Sequence, residues 1–443
     1  MSGFYFLFWI AFNYSFRLYF RIIKIFKPCQ KRFGRTIYVS NHQGGFMDPL
    51  LIAALRKPVV YFMVRSDVFN RYTSPFFRRL HMLPIYRQRD GVDTKDKNAK
   101  IFEKTNEILA RNRNILIFGE GFTSDRIQRR LHPLKKGPVR IGFSALEYCD
   151  WKEEIYLQGL GINYTDFNRR GSDVLISAGV RIKLNDYKAA YHENAGKTIA
   201  EVTKLLENDM RSLITDVHDP EWADIHEDIM MLTRKGMHPK CYDPSISLDN
   251  RWDYSKKLAN WINAQSLSDL NQLSPLLVQI KHYKLHLQEL NIIENDRFEC
   301  INQRNVLLIN FLHLLALLPF SVLGLLHAGI PYIAVKKWVE KAFKRPVFWG
   351  ATKMVLGVVV VFLVNIPVLW FLPQFLPFTY GINLLLSVLY FLCIGIFTQA
   401  FLKSCEIIKK TIRISYIKRI NIEYINKMNS EILEEIQLKI PVA

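Results

Sequence analysis

The sequence predicts an α/β domain with a helical extension and C-terminal membrane helices. Three observations carry this reading. Between about residues 36 and 185, β-prone apolar runs alternate with helical stretches, the pattern of an α/β fold. From about 187 to 300 the chain is charged and mostly helical in pattern, with breaks at Pro220, 236–239, Pro244 and Pro275. Beyond 305, residues 306–335, 353–372 and 381–402 hold no Asp, Glu, Lys or Arg apart from Lys353. About 20 such residues suffice to cross a bilayer.

Taken in order, the first element is an aromatic-rich stretch, residues 3–27, into which Arg17, Arg21, Lys24 and Lys27 enter from the middle. It has no basic segment before the apolar run and no small-x-small site after it, so it does not read as a signal peptide. Arg17, Arg21 and Lys24 fall at helical spacing, which predicts an in-plane membrane helix over 1–28 with its basic face toward lipid headgroups. The plainer alternative is an amphipathic helix packed on its own domain.

The strand candidates are 36–40, 58–64, 82–86, 115–118, 155–163 and 174–182, with helical patterns at 49–56, 68–80, 97–111 and 138–149. They place an α/β domain at 30–187, then a helical extension at 188–303, membrane segments at 304–403 and a basic helical tail at 404–443. The loop after the first apolar segment carries Lys336, Lys337, Lys341, Lys344 and Arg345; the tail after the third carries Lys403, Lys409, Lys410, Arg413, Lys418 and Arg419. Positive charge marks the cytoplasmic side, and three plain crossings would put one of these basic flanks outside. The conflict resolves if 353–402 is a hairpin turning at 373–381, and 306–335 is re-entrant or broken at Pro319 and Gly324.

Lys plus Arg number 60 against 40 acidic residues, a formal charge of +20, which suits nucleic acid or an anionic membrane. The apolar C-terminal third favours the membrane and argues against nucleic acid. Six scattered cysteines (Cys29, Cys149, Cys241, Cys300, Cys393, Cys405) lack CxxC spacing, so neither disulfide framework nor zinc site is expected. His282 and His286 lie four apart without an acidic partner motif, which reads as a solvated helix face rather than a metal site.

Two islands carry chemistry. The first runs Ser40-Asn41-His42-Gln43-Gly44-Gly45-Phe46-Met47-Asp48-Pro49, and the second Phe118-Gly119-Glu120-Gly121-Phe122-Thr123-Ser124. Each follows a strand-like run, so each sets polar groups and glycines where a buried strand opens into a loop. His42 is a candidate general base and Asp48 its orienting carboxylate. Asp48 before Pro49 also reads as an ordinary helix cap. Glu120 between two glycines sits where backbone approaches a ligand closely. Arg87, leaving a strand at Tyr86, can clamp a phosphate in bidentate fashion, and Lys135 precedes a helix start.

Together these blocks resemble the membrane-bound glycerophospholipid acyltransferases, of the 1-acylglycerol-3-phosphate and glycerol-3-phosphate acyltransferase type. The matching residues are Asn41-His42 to Asp48, Tyr86-Arg87, Phe118-Gly119-Glu120-Gly121-Phe122, and Gly159-Leu160-Gly161-Ile162-Asn163-Tyr164, over about residues 30 to 185. Five residues rather than four separate His42 from Asp48, a spacing also found in some family members, and a bulge at Gly44-Gly45 is expected to absorb the extra one. Gly119 stands where the family has proline, and Phe122 where it has threonine.

The resemblance implies an acyltransferase-like α/β fold and attack by a glycerol hydroxyl on the thioester of acyl-CoA or acyl-carrier protein. His42 and Asp48 would be catalytic; Arg87, Glu120, Gly121 and Lys135 would bind substrate. Neither metal nor cofactor is implied beyond the acyl donor. Expected partners are membrane lipid, the thioester donor and, as an alternative carrier, acyl-carrier protein. The expected place is an integral membrane protein with its catalytic domain on the cytoplasmic face. The competing expectation, prompted by Gly119 and the longer first block, is a non-catalytic membrane scaffold or lipid-transfer protein with an inactive acyltransferase-like domain.

Overall fold

A computed structural model describes residues 3–26, 34–55, 60–66, 69–85, 94–302, 305–420 and 422–442. The chain divides into two compact units, Met1–His218 and Asp219–Ala443.

Among the described residues, the first unit is built on seven strands: β1 (Ile22–Phe26), β2 (Thr36–Ser40), β3 (Val60–Arg65), β4 (Met82–Ile85), β5 (Asn114–Phe118), β6 (Tyr156–Tyr164) and β7 (Asp173–Lys183). They lie in one sheet in the order β1-β7-β6-β2-β5-β3-β4. Every neighbouring pair is parallel except β6 with β7. Helices α1 (Gly3–Tyr19), α2 (Met47–Leu55), α3 (Thr73–Arg79), α4 (Thr94–Ala110), α5 (Gly137–Tyr148), α6 (Lys188–Glu193) and α7 (Ala195–Ser212) complete the unit. All five residues of β2 are buried, as befits a central strand covered on both faces. Ile37 and Val39 of β2 join a core with Ile115 and Ile117 of β5, Val139 and Phe143 of α5, and Val202, Leu206 and Met210 of α7.

Two expectations need correction here. The N-terminal helix ends at Tyr19, and Ile22–Phe26 is an edge strand paired with β7. Three of the four residues Ile22-Ile23-Lys24-Ile25 are β-branched, which suits a sheet better than a helix. Arg17, Arg21 and Lys24 therefore share no helix face, and Arg21 pairs with the buried Asp173 at 2.5 Å. One side of α1 packs inside the unit, with Phe16 fully buried and Tyr5 nearly so. The other side leaves Phe6, Ile10 and Tyr14 exposed at i, i+4 and i+8.

The unit also extends past 187, to His218, because α7 is part of its core. Two glycines explain the fit. A Cβ on Gly161 would lie 2.4 Å from the Leu213 carbonyl oxygen, and one on Gly179 would meet the Asp209 carboxylate at 1.7 Å. Bare backbone on β6 and β7 lets α7 and its C-terminal turn sit down on the sheet.

The second unit is helical: α8 (Ala223–Thr233), α9 (Leu248–Ala264), α10 (Leu267–Asn271), α11 (Ser274–Glu289), α12 (Glu294–Asn302), α13 (Val306–Gly324), α14 (Ile330–Ala342), α15 (Trp349–Phe375), α16 (Tyr380–Ile417) and α17 (Glu423–Lys439). Three helical stretches among the described residues, Val306–Ala342, Pro346–Phe375 and Tyr380–Ile417, are long and apolar enough to cross a membrane. Little of their apolar surface is buried within the protein, which leaves it for a non-aqueous surrounding.

These helices pair through sparse polar contacts. Along α13 and α16, Asn310 bonds Thr411 at 3.0 Å and Ser321 bonds Ser404 at 2.7 Å, an antiparallel register. Residues Leu325–Gly329 form a π-helical turn. Beyond it α14 packs on α15 instead, where Glu340 pairs with Lys353 at 2.6 Å. The helix runs through Pro319 without the expected break, but α13 ends at Gly324, next to the π turn on which the change of helix partner falls, a common place for a bend. The expected hairpin turn at 373–381 lies between α15 and α16, where Asn383 donates to the Pro373 and Leu376 carbonyls at 2.9 and 2.8 Å.

Candidate active site

β2 and β5 are adjacent and in parallel register, with Ser40 opposite Phe118. Both islands therefore emerge side by side at the carboxyl ends of central strands, where open α/β sheets bind ligands. On the other flank, Asn41 prolongs the β2–β6 ladder through its side chain. Its Oδ1 accepts from Ile162 N at 2.8 Å, and its Nδ2 donates to Ile162 O at 2.9 Å.

His42 follows directly. Its Nδ1 lies 2.9 Å from Asp48 Oδ2, and its ring stacks on Phe118 with centroids 4.1 Å apart and planes at 19°. Asp48 offers only acceptors, so Nδ1 carries the proton and the lone pair is left on Nε2. The side chain is 18% exposed, which keeps that nitrogen within reach of a ligand.

Asp48 is wholly buried at the start of α2 and fully engaged. Oδ2 also accepts from Gly44 N at 2.9 Å, and Oδ1 accepts from the Tyr164 hydroxyl at 2.8 Å. Burial first, and then the charge of Asp48, hold the Tyr164 phenol well above its usual range, so it stays a donor. The five-residue spacer is taken up by a turn in which Gly45 adopts φ +57° and Met47 N donates to Gly44 O at 3.0 Å. The expected cap is not found: Asp48 lies within the first turn of α2, and its oxygens are taken by His42, Gly44 and Tyr164 instead.

Glu120 is 6% exposed, and its two oxygens are already used by backbone. Oε1 accepts from His42 N at 2.8 Å and Oε2 from His132 N at 2.9 Å, tying the two islands and the 125–135 loop together. Burial pushes its acid above the usual range, with the two backbone bonds pulling the other way. Gly121 adopts φ +65°, a conformation that favours glycine. Lys135 is exposed; its backbone N donates to Gly119 O at 2.9 Å and its side-chain stem runs past Gly121.

Gly119 has a local reason to be glycine. A Cβ there would meet Val39 Cγ1 at 2.8 Å and Leu134 Cδ2 at 2.9 Å, and its N–H donates to Ser40 O at 3.3 Å. A proline would clash and lose that bond. Replacing the proline does not loosen the turn, because the turn is packed around the missing side chain.

Of the residues singled out from sequence, His42, Asp48, Glu120, Gly121 and Lys135 come together, and Arg87 lies outside the described residues. Sequence reasoning overlooked Tyr164 and Asn41 as parts of the site. Their signal was position: Tyr164 closes the fourth apolar block, and Asn41 is the residue beside the base. Among the described residues no group of three His, Cys, Asp or Glu side chains forms a metal site.

Residues 27–157 match the acyltransferase family model. This stretch, less than a third of the chain, is similar to that family. Both islands fall inside the matched segment, whereas Tyr164 and α7 lie beyond it. Among solved structures, the chain is similar to the 1-acyl-sn-glycerophosphate acyltransferase PlsC of Thermotoga maritima, at 14% identity and a TM-score of 0.31, over 46% of this chain and 80% of that one. No curated protein matches the sequence.

Proposed function

We propose that this protein moves a fatty acyl group from a thioester donor, acyl-CoA or acyl-carrier protein, to a hydroxyl of 1-acylglycerol-3-phosphate or glycerol-3-phosphate. The observation that carries the reading is the His42–Asp48 pair: a buried carboxylate fixes Nδ1 at 2.9 Å and leaves Nε2 as a base at the open end of the sheet. In the proposed step, Nε2 takes the proton of the acceptor hydroxyl as its oxygen attacks the thioester carbonyl carbon. The tetrahedral intermediate collapses with cleavage of the C–S bond, and the imidazolium returns the proton to the leaving thiolate. Asp48 stabilises the imidazolium between the two transfers.

Arg87 and Lys135 are proposed to hold the acceptor phosphate, and Gly121 to let it approach backbone. Glu120 is proposed to act on the acceptor indirectly, by setting the backbone positions of His42 and His132. The apolar helices suit a donor and product that are both amphiphiles, and the basic flanks at 336–345 and 403–419 support a catalytic domain on the cytoplasmic face.

The deciding measurement is transfer from labelled acyl-CoA to lysophosphatidate and to glycerol-3-phosphate by the purified full chain. The proposal expects transfer that falls by about 10²–10⁴-fold in His42→Ala. Absence of transfer, or transfer indifferent to His42→Ala, replaces it with the scaffold reading.

A further inference from the structure

Far along the chain from the acyltransferase islands, the helical unit encloses a cavity of about 400 Å³, within the size range of small-molecule sites. It is lined from three places: the end of α8 and the turn after it, α12, and α17. Its wall carries Arg234, Lys235 and Arg297, and opposite chemistry from Phe298, Ile301 and Leu433. Arg297 is neutralised by Glu294, whose oxygens it grips at 2.6 and 2.8 Å with both side chains buried.

Arg234 is different. It is 7% exposed, its Nη2 donates to the Tyr242 carbonyl at 2.8 Å and to Asn295 Oδ1 at 3.0 Å, and none of these bonds reaches a carboxylate. Its Nε and Nη1 are buried without a hydrogen-bond partner, a costly arrangement for a guanidinium. Its Cζ lies 3.9 Å above the Phe298 ring, which fixes the fork against the wall. Arg234 also caps α8 at φ +60°, where glycine or asparagine is the usual choice. Arg234 thus brings to the cavity wall a guanidinium with two donors that no protein group among the described residues matches.

We propose that this cavity binds the phosphate of an anionic amphiphile, with Arg234 and Lys235 as ligands and the chain against Phe298, Ile301 and Leu433. Place argues for a lipid. α12 forms one wall and ends at Asn302, four residues before the apolar α13 begins at Val306. Ile301 is exposed at that junction. The site therefore sits at the polar foot of the apolar helices, the level of headgroups once those helices are inserted. A fork and a second cation beside an apolar wall match a phosphodiester with a tail. The inference rests on membrane insertion of the apolar helices and not on acyl transfer.

The test uses the full chain in detergent micelles and native mass spectrometry, with phosphatidylglycerol, phosphatidylcholine and inorganic phosphate as probes. Phosphatidylglycerol is neither substrate nor product of the proposed reaction, so its retention reports this cavity. The expected result is one retained phosphatidylglycerol per chain, at least about tenfold tighter than phosphatidylcholine, and weakened about tenfold by Lys235→Glu. Arg234→Lys keeps the charge and removes the fork, with a similar expected loss; Lys235 is less buried and carries the test if Arg234→Lys does not fold. Competition by inorganic phosphate at the same site would assign the shared phosphate chemistry to a free anion as well as to lipid, and would support the site. Equal retention of both lipids, or retention unchanged by Lys235→Glu, overturns it. His42→Ala is expected to leave retention unchanged whether or not acyl transfer is found.

Discussion

Two histidines, one in each unit, are held in different ways, and the contrast bears on the base proposed above. His42 is held at Nδ1 by Asp48 and stacked on Phe118, and among the described residues no hydrogen bond engages its Nε2. His327, on the π turn between α13 and α14, is held at both nitrogens: Nδ1 to Asn365 Oδ1 at 2.7 Å and Nε2 to the Tyr390 hydroxyl at 2.5 Å. Asn365 is itself buried and donates to the His327 carbonyl at 3.0 Å. A partnered histidine is therefore no sign of catalysis. What marks His42 is that one nitrogen is fixed by a charged acceptor and the other is left for chemistry. His327 instead satisfies polar groups at a helical irregularity within apolar surroundings, a role that helix–helix polar contacts commonly fill in membranes.

The comparison is broken most directly at the carboxylate. Asp48→Asn keeps the shape, but its amide can face Nδ1 with a donor and select the wrong tautomer, and transfer is expected to fall by about 10²-fold or more. Asn365→Asp is the matching change on the other side, and there no loss of the chemical step is expected. If the two variants lose transfer equally, the distinction between a free and a committed nitrogen is worthless.

Gly119→Pro restores the residue typical of the resembling family, yet packing argues against it. Overpacking on Val39 and Leu134 is expected to cost about 1–3 kcal/mol, and the lost bond to Ser40 about 1 kcal/mol more. Thermal or denaturant melts of the full chain check this; a neutral or stabilising outcome means that the turn can re-form around a proline.

Tyr164→Phe removes one of three donors to Asp48 without disturbing the His42 contact. An effect of about 1 kcal/mol on stability and a several-fold loss of transfer are expected, with the pH profile carrying the diagnostic. A purely structural tyrosine would lower stability and leave the profile in place.

The effect at Glu120 is read from its pH dependence. Its acid is raised in the folded protein, so the fold binds that proton more tightly than the unfolded chain does. Its contribution to stability is present below the ordinary glutamate range and is lost as pH rises through the raised value. Glu120→Gln cannot titrate and keeps one of the two backbone bonds. The variant is expected to be less stable by about 1–3 kcal/mol at low pH, with the gap narrowing toward neutrality. A gap that widens with pH would mean that the two backbone bonds outweigh burial.

The α/β alternation was readable because central strands covered on both faces are apolar through their middle, as 37–39 and 115–118 are. The readings at 58–64, 115–118, 155–163 and 174–182 each miss a described strand end by one residue, as the ends of ladders depend on neighbours rather than on propensity. Ile22–Phe26 was missed as a strand for the same reason. An edge strand with a lysine in it looks like half of an amphipathic helix until β7 is there to pair with it. The extent of the first unit was also hidden, since nothing local says that glycines at 161 and 179 exist to admit α7.

The sequence by itself determined the chemistry that residue types allow: a histidine and an aspartate at short range, a glycine-flanked glutamate, and apolar segments free of charge. Those follow from composition and spacing, which survive any arrangement of the chain. Tertiary structure alone decided which of these groups meet. Pairing β2 with β5 brought His42 within 2.8 Å of a carboxylate seventy-eight positions away, and the β6 ladder delivered Tyr164 to Asp48 across 116 positions. Strand order carries no local signature, because it is set by long-range burial of whole faces, and so Glu120 could be recognised as a brace only once the sheet had put its two partners beside it.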